Sequence, residues 1–565
     1  MINRATRYFI EDANMILKYG YKDENPRPKY ADGTSAYTIS VNQNMRRYDL
    51  SNGDFPINML RPIAWKSAIK EIFAIYQNQS NKISEFERCG CKWWKDWELE
   101  DGTIGKSYPY NLESHRPNEM KKTVVKVERR LVKKEDYDLC ELPHFPKEKS
   151  IDDKIYFGRY TVIEKNIKKD NDNKHRYSMI QFIDNGYKMP LRNDSIGLHK
   201  CVNPYERTVF NVGYLGELNN IRNFEKWEID ILKTKWMNML KRCYSKKYQE
   251  ENNNYNNVFV HNRWHCFANF LEDIRYVPQY FLAKEDKFEN WQLDKDYYGS
   301  NAYSKDTCVF LKLHENVTYA RTKGCYEITD KDNNKYYDLT IAGFSDIANL
   351  NLQKLRKAIK NDEKFSDDEF VFKFIPNTDE YVYRYELSRN QVNELINGIK
   401  TNPYGRRHVI DFWNWANIDK KALVECAFLT MWNVRTNTKG KNYLDMTLIQ
   451  RSGDMLVASG GGGVNEVQYA ALLMMIARHC GLLPGVFVHF VQNEQIYDRH
   501  IEQAEELQQR YSEMTMNEFY HDTTYKTPKL ILSENAKDFY SMTIDDFEMV
   551  DYEPIKPQLK LELGI

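Results

Sequence analysis

Chemistry in this chain could gather around one thiol. Cys426 lies in ALVECAFLTMW. An arginine pair, Arg406 and Arg407, precedes it in NPYGRRHVIDFWN, and Arg451-Ser452 follows in LIQRSGDM. The guanidinium is a planar donor fork that suits phosphate oxygens. Three of them with a hydroxyl beside one thiol would make a site for a phosphate dianion. The same positive field would favour the thiolate, the nucleophilic form of cysteine. Singly each piece is weak, because a lone cysteine beside an apolar strand is more often structural and an arginine pair is usually solvated. Their order and spacing carry the argument.

The elements that must hold these groups are legible around them. NYLDMTLIQRSGDM alternates as a strand, with Leu444, Met446 and Leu448 on one face. VNEVQYAALLMMIARHCGL is a helix with Val467, Ala471, Met474 and Met475 on one side, and Gly481 at its C-terminal cap. That methionine stripe is read as core packing. SAIKEIFAIYQ spaces Ile69, Ile72, Phe73 and Tyr76 as a helix, and RNQVNELINGIKTNP is amphipathic and ends in turn residues. A Trp-rich stretch, CKWWKDWELEDGTIG, and an aromatic loop, KSYPYNL, lie between.

The chain has 565 residues, which at roughly 100–200 residues per domain suggests two to four domains. Lys plus Arg equals Asp plus Glu, 81 each, so net charge gives no argument for nucleic acid or membrane binding. No apolar run reaches the roughly 20 residues needed to cross a bilayer, and the N-terminus does not read as a signal peptide. Ten cysteines without a CxxC pair read as reduced thiols of a cytosolic protein with no structural metal. Texture divides the chain in three. Residues 1–115 look globular, 116–380 carry Asn/Lys runs and short strand-like pieces such as YTVIEK and YSMIQFI, and 381–565 look globular again.

RRHVIDFWN, ALVEC, QRSGDM, VNEVQYA and IYDRH, in that order, closely resemble the thymidylate synthase family. RPIAWKSAIKEIFAIYQNQSN and WWKDWELEDGTIGKSY resemble its N-terminal half. DGTSAYT, EDGTIG and KDFYSMTIDDF are closest to the compact branch found in Bacillus and its phages. The resemblance covers residues 1–115 and 381–565. It implies an α+β core with a mixed sheet, discontinuous in sequence, that methylates dUMP with 5,10-methylenetetrahydrofolate. By the resemblance, Cys426 would add to pyrimidine C6. Arg27, in NPRPKYADGT, would be a mobile-loop phosphate ligand, joined by Arg451 and Ser452, and by Arg406 and Arg407 from a second subunit, which implies a homodimer. Asn465 would read the pyrimidine edge, Tyr497 the ribose hydroxyl and Asp454 the pterin ring. Glu71 would organise water for proton transfers, as a carboxylate in an apolar pocket suits. Trp94 and Trp97 would wall the folate site, Tyr108 would help place water for proton removal at C5, and the C-terminal Ile565 would close over the ligands. No metal is implied in this core.

The chain departs from the family in places. The loop after RSGDM runs LVASGGGGVN, longer than usual and without the family's Pro-Phe. Four glycines imply a less rigid loop. Gln495 stands for a histidine that touches the sugar. Glu425 replaces the proline before the nucleophile, and a carboxylate there would oppose a thiolate. These changes leave open dUMP hydroxymethylation, in which water captures the C5 methylene, and a catalytically impaired relative carrying the insert.

The insert resembles phage HNH-related and DNA-binding domains, in FEKWEIDILKTKWMNMLKRCYSKKYQ, VFVHNRWHCFANFLEDI and WQLDKDYYGSNAYSKDTCVFLKLHEN. An HNH nuclease needs a water-activating His on a ββα hairpin. Lys295 occupies that position, Asn301 and Asn316 fit the later ones, and His261 and His265 do not restore the spacing. A degenerate or unusual nuclease is expected, or an insert that only binds nucleic acid or decorates the enzyme; the basic run Lys121 to Lys134 would suit DNA phosphates, although such a run is more often a solvated face.

Overall fold

The computed structural model describes residues 2–26, 28–114, 123–133, 137, 141–152, 154–169, 172–198, 201–218, 221–330, 333–348, 351–353, 356–357, 370–521 and 523–562. It divides into two units: Met1–Asn118 with Ser388–Ile565, and Glu119–Leu387. The change of sequence texture put the insert at 116–380.

The first unit is built on a seven-stranded mixed sheet. Its order is Tyr21–Lys22, Thr38–Asp49, Leu483–Tyr497, Asn442–Gln450, Ala427–Thr436, Val409–Asp411, with the short Gly453–Asp454 also beside Leu483–Tyr497. Leu483–Tyr497 runs parallel to Asn442–Gln450 and Gly453–Asp454, and the other pairs are antiparallel. Leu444, Met446 and Leu448 face the core as their alternation implies. The helix Val464–His479 covers that face and is buried nearly all round, because the helix Trp65–Ile72 packs on it from the other side. Of its four expected core residues only Met474 keeps partial exposure. The helix ends in a Schellman turn: Leu482 N–H donates to Ala477 O and Gly481 N–H to Arg478 O, with Gly481 at φ +71°. Trp65–Ile72 continues as a wider π-type turn through Phe73–Asn78, so Ile69, Ile72, Phe73 and Tyr76 share the core. The helix Arg4–Tyr19, capped by Asn3, packs Phe9, Ile10, Ala13 and Ile16 with Met455, Leu456 and Ile496.

An ion cluster around Arg46 lies inside this unit. The Arg46 guanidinium is 1% exposed and holds Glu466 (2.8 Å), Glu494 (2.9 Å) and Asp12. Burial raises Asp12 to about 7, against the pull of Arg46, which relieves a site with three carboxylates and one guanidinium.

At the border Glu113–Ser114 pairs with Arg389–Asn390 in the first unit, and Val124–Glu128 with Tyr381–Tyr385 in the second. Both crossings are thus antiparallel neighbours, and a long insertion between ends already held together costs little closure entropy. The second unit holds a three-stranded sheet (Tyr160–Lys169, Asp172–Phe182, Lys188–Arg192) over an aromatic cluster of Tyr160, Phe182 and Tyr187. It also holds the helices Lys226–Tyr244 and Phe267–Ile274, and a ββα hairpin of Trp291–Asp294, Val309–Lys312 and Leu313–Arg321.

Candidate active site

The sheet gathers the site at one end. Cys426 immediately precedes the strand Ala427–Thr436, whose first residue pairs with Gln450, the last of Asn442–Gln450. Arg451 and Ser452 therefore leave the sheet beside the thiol, and Arg451 N–H donates to Cys426 O at 2.9 Å. Arg451 Nη2 is 3.5 Å from Cys426 Sγ, Ser452 Oγ is 4.0 Å from it, and Arg451 Nη1 donates to Ser452 Oγ at 3.4 Å. The guanidinium also donates to the carbonyls of Glu425 and Val424, both at 2.9 Å. Of its five N–H groups, one on Nη1 has no partner among the described residues and could meet an incoming anion.

A line of amides leads from the core to an acid. The Ser452 carbonyl only accepts, so it orients Gln450: Nε2 donates to Ser452 O (2.9 Å) and Asn465 Oδ1 (3.3 Å), and Oε1 lies 3.0 Å from His489 Nε2. Asn465 Nδ2 donates to Gln468 Oε1 (3.1 Å), and Gln468 Nε2 to Glu71 Oε2 (2.6 Å). The other Glu71 oxygen accepts from the Trp94 indole N–H at 2.8 Å. Burial pushes Glu71 up to about 7 despite the Trp94 and Gln468 donors, which favour its charged form. Trp94 is buried and thus holds the acid as well as meeting Trp97 (ring centroids 5.8 Å) and Tyr108 (5.8 Å). Neither that role nor Gln468 was evident in the sequence.

Tyr108 accepts from Cys426 N–H at its hydroxyl, 3.1 Å away, and burial holds its phenol well above the usual range. Asp454 caps Leu456 and Val457 N–H with one oxygen, both 3.1 Å, and burial raises it to about 7. Its other oxygen is 3.8 Å from His500 Nδ1. Tyr497 is buried against Tyr30 and accepts from Gln495 Nε2 at 3.4 Å.

Arg406 and Arg407 are exposed and have no bond to Cys426, Arg451 or Ser452 among the described residues. Arg27 and Ile565 lie outside the described residues, as do Lys121, Lys122 and Lys134 of the basic run.

Two expectations are corrected. The glycine loop is not a loosely held segment: Gly460, Gly461, Gly462 and Gly463 are buried. A Cβ on Gly461 would sit 2.7 Å from Ala5 O and Phe9 N, and one on Gly462 2.3 Å from Asn58 N. Asn58 N–H donates to Gly462 O, and Gly462 N–H to Glu466 Oε2 at 2.6 Å. The glycines are there because backbone packs on backbone. Glu425 does not confront the thiol uncompensated: its carboxylate is fully buried against the Lys421 ammonium at 2.5 Å.

In the second unit Lys295 is buried and bound to Asp296 (2.5 Å). Burial would lower it, but Asp296 raises it further, so it stays charged and is no base. Asn301 brackets Val132 by both backbone groups, and burial takes His265 down to about 4. Asn316 lies on the helix Leu313–Arg321, and His261 Nδ1 accepts from Arg263 N–H.

Comparison with known proteins finds the following relatives. The thymidylate synthase of Lactococcus lactis subsp. cremoris (strain SK11) is 44% identical over 178 residues, 31% of this chain and 59% of that protein. That of Streptococcus pneumoniae (strain ATCC 700669 / Spain 23F-1) is 42% identical over 176 residues, 31% and 58%. The chain thus spans about 59% of the length of the curated relatives it matches. The thermostable thymidylate synthase A from Bacillus subtilis overlays with a TM-score of 0.44 and 17% identity, over 99% of both chains. The thymidylate synthase family model matches residues 7–152 and 349–565, running past the first unit's borders on both sides. That match spans well over half of the chain, and the chain belongs to the thymidylate synthase family.

Proposed function

We propose that the chain is a thymidylate synthase, converting dUMP to dTMP with 5,10-methylenetetrahydrofolate as cosubstrate. The observation that carries this is the bonded series from Ser452 through Gln450, Asn465 and Gln468 to Glu71, one end of it beside Cys426. Among the described residues Asn465 has one N–H and one lone pair without a partner. Uracil offers O4 as acceptor and N3–H as donor, which meet them. Cytosine reverses both, and a turned Asn465 would oppose donor to donor at Gln450 and oxygen to oxygen at Gln468, costing about 1–3 kcal/mol at each contact.

Cys426 Sγ would add to C6, and Asn465 would meet the negative charge that moves onto O4. Arg451 and Ser452 would take the phosphate, with Arg27 on one side and Arg406 and Arg407 contributed by a second copy. Half-exposed Leu429, Ile449, Val488 and Phe490 with exposed Met45 and Met431 line the sheet's other face, which supports a homodimer through that face. Tyr497 would bond the ribose. Trp94, Trp97, Asp454 and Ile565 would hold the folate, which supplies the one-carbon unit and then a hydride. Asp454 fits, because one oxygen is fixed by two N–H groups and the other remains to meet ring N–H donors. Tyr108 and Glu71 would manage water for removal of the C5 proton. With such metabolites as substrates, the reaction would run in the cytosol.

For the second unit the ββα hairpin supports DNA binding of phage HNH type, and charged Lys295 argues against cleavage. Salt-dependent retention of duplex DNA by the full chain tests it; no retention at low salt contradicts it. Turnover of dUMP by the full chain, lost in Cys426→Ser, tests the enzyme reading.

A further inference from the structure

A buried ion pair lies beside the nucleophile. Lys421 and Glu425 have side chains with no exposure, Nζ to Oε2 2.5 Å, and Lys421 Nζ also donates to Phe412 O at 3.4 Å. The second carboxylate oxygen leaves the pair and reaches another segment. Glu425 Oε1 accepts from Tyr108 N–H at 2.8 Å and from Asn111 Nδ2 at 3.1 Å. Asn111 in turn donates to Lys106 O at 2.8 Å. Further bonds lace the same two stretches: Lys106 N–H to Lys420 O, Ala422 N–H to Ile104 O, and Ser107 Oγ to Leu423 O.

What this lacing holds is a strained residue. Tyr108 has φ +31°, a conformation that a bulky residue avoids, and Pro109 after it narrows its choices further. Such a backbone persists only where its surroundings over-determine it. The bond that Glu425 takes is the N–H of that same residue, and the consequence is visible at the other end of Tyr108, whose hydroxyl sits on the Cys426 N–H. One side chain, adjacent in sequence to the nucleophile, thus bonds directly to the strained residue whose phenol meets the nucleophile's N–H.

We propose that Glu425, pinned by Lys421, is a positioning residue that holds Tyr108 in its left-handed conformation so that its hydroxyl stands over Cys426. This rests on the thymidylate synthase reading, in which Tyr108 serves the loss of the C5 proton. In that step the C5–H bond breaks, the proton passes to water at the phenol, and the electron pair expels the folate nitrogen. Glu425 touches no reacting atom and acts through the Tyr108 N–H, with Asn111 held beside it.

The test uses the full-length enzyme and two double variants that both remove the buried charge. Lys421→Met/Glu425→Leu removes the acceptor for Tyr108 N–H, and Lys421→Met/Glu425→Gln keeps an amide oxygen there. Turnover of dUMP, its KM and debromination of 5-bromo-dUMP by added thiol are measured for each. Debromination needs Cys426 and takes a C5 proton up from solvent as thiol removes the bromine, but it breaks no C5–H bond. The leucine variant is expected to lose about 100-fold in kcat, as for a displaced proton-transfer group, with KM for dUMP and debromination unchanged. The glutamine variant is expected to regain most of the turnover. Turnover by the leucine variant equal to wild type would overturn the assignment. So would debromination that falls in step with kcat, because that means the thiol's loop has simply collapsed. Wild-type enzyme that debrominates yet makes no dTMP would instead overturn the synthase reading itself.

Discussion

Replacing Trp94 with Phe should move the pH dependence of turnover upward. The indole N–H donates to Glu71 at 2.8 Å and stabilises the carboxylate, whose pKa burial has already raised to about 7. A hydrogen bond to a charged group contributes about 1.5–3 kcal/mol. At about 1.4 kcal/mol per pKa unit, its loss would raise Glu71 by roughly one to two units. Gln468, at 2.6 Å, stays in place, and water entering the vacated space recovers part of the bond. The lower end, about one unit, is therefore expected. Phe retains an aromatic ring against Phe86 (ring centroids 5.1 Å in the wild type), so the fold should hold. The assay is kcat for dTMP formation at saturating substrates as a function of pH, wild type against Trp94→Phe. The inflection that belongs to Glu71 should move up by about one unit. An inflection that stays, or moves down, would refute the assignment of that limb to Glu71 and the idea that Trp94 tunes it.

Further outcomes follow from the same geometry. Asn465→Asp replaces the amide donor with a carboxylate and should cost at least about 100-fold in kcat/KM for dUMP while admitting dCMP, read from both substrates side by side. Gly462→Ala places a Cβ 2.3 Å from Asn58 N at φ +67°. It should destabilise the core by about 2–4 kcal/mol, seen as a lower thermal midpoint, and an unchanged midpoint would contradict the packing role of that glycine. Arg46→Met leaves Asp12, Glu466 and Glu494 buried without their guanidinium. About 3–5 kcal/mol should be lost in denaturant unfolding, less at low pH where the carboxyls take up protons.

Local pattern carried most of what was legible in the sequence. The alternation of Leu444, Met446 and Leu448 and the cap at Gly481 depend on neighbours a few residues away, and both stand in the structure. The meeting of Cys426 with Arg451 and Ser452 follows from two adjacent strands sharing an end. What stayed hidden joins residues hundreds of positions apart. Glu71 is bonded to Gln468 and Tyr108 to Glu425 by tertiary closeness that no spacing encodes. The glycine run misled for the same reason. Glycine reads as freedom in a sequence, but here its missing side chain makes room for Ala5, Phe9 and Asn58. Glu425 beside Cys426 suggested repulsion because its counter-charge, Lys421, becomes a partner only when both are buried. Trp94 was read as a wall of the folate site; burial shows it also as the donor that steadies the acid.

The central claim is tested most directly by mass spectrometry of the nucleotide after incubating the purified chain with dUMP and 5,10-methylenetetrahydrofolate, with Cys426→Ser as control. The account predicts that dUMP gains one CH2 as dihydrofolate is released, and that the serine variant makes none. A gain of CH2O would move the chain to hydroxymethylation, and unchanged dUMP with wild-type protein would contradict the account.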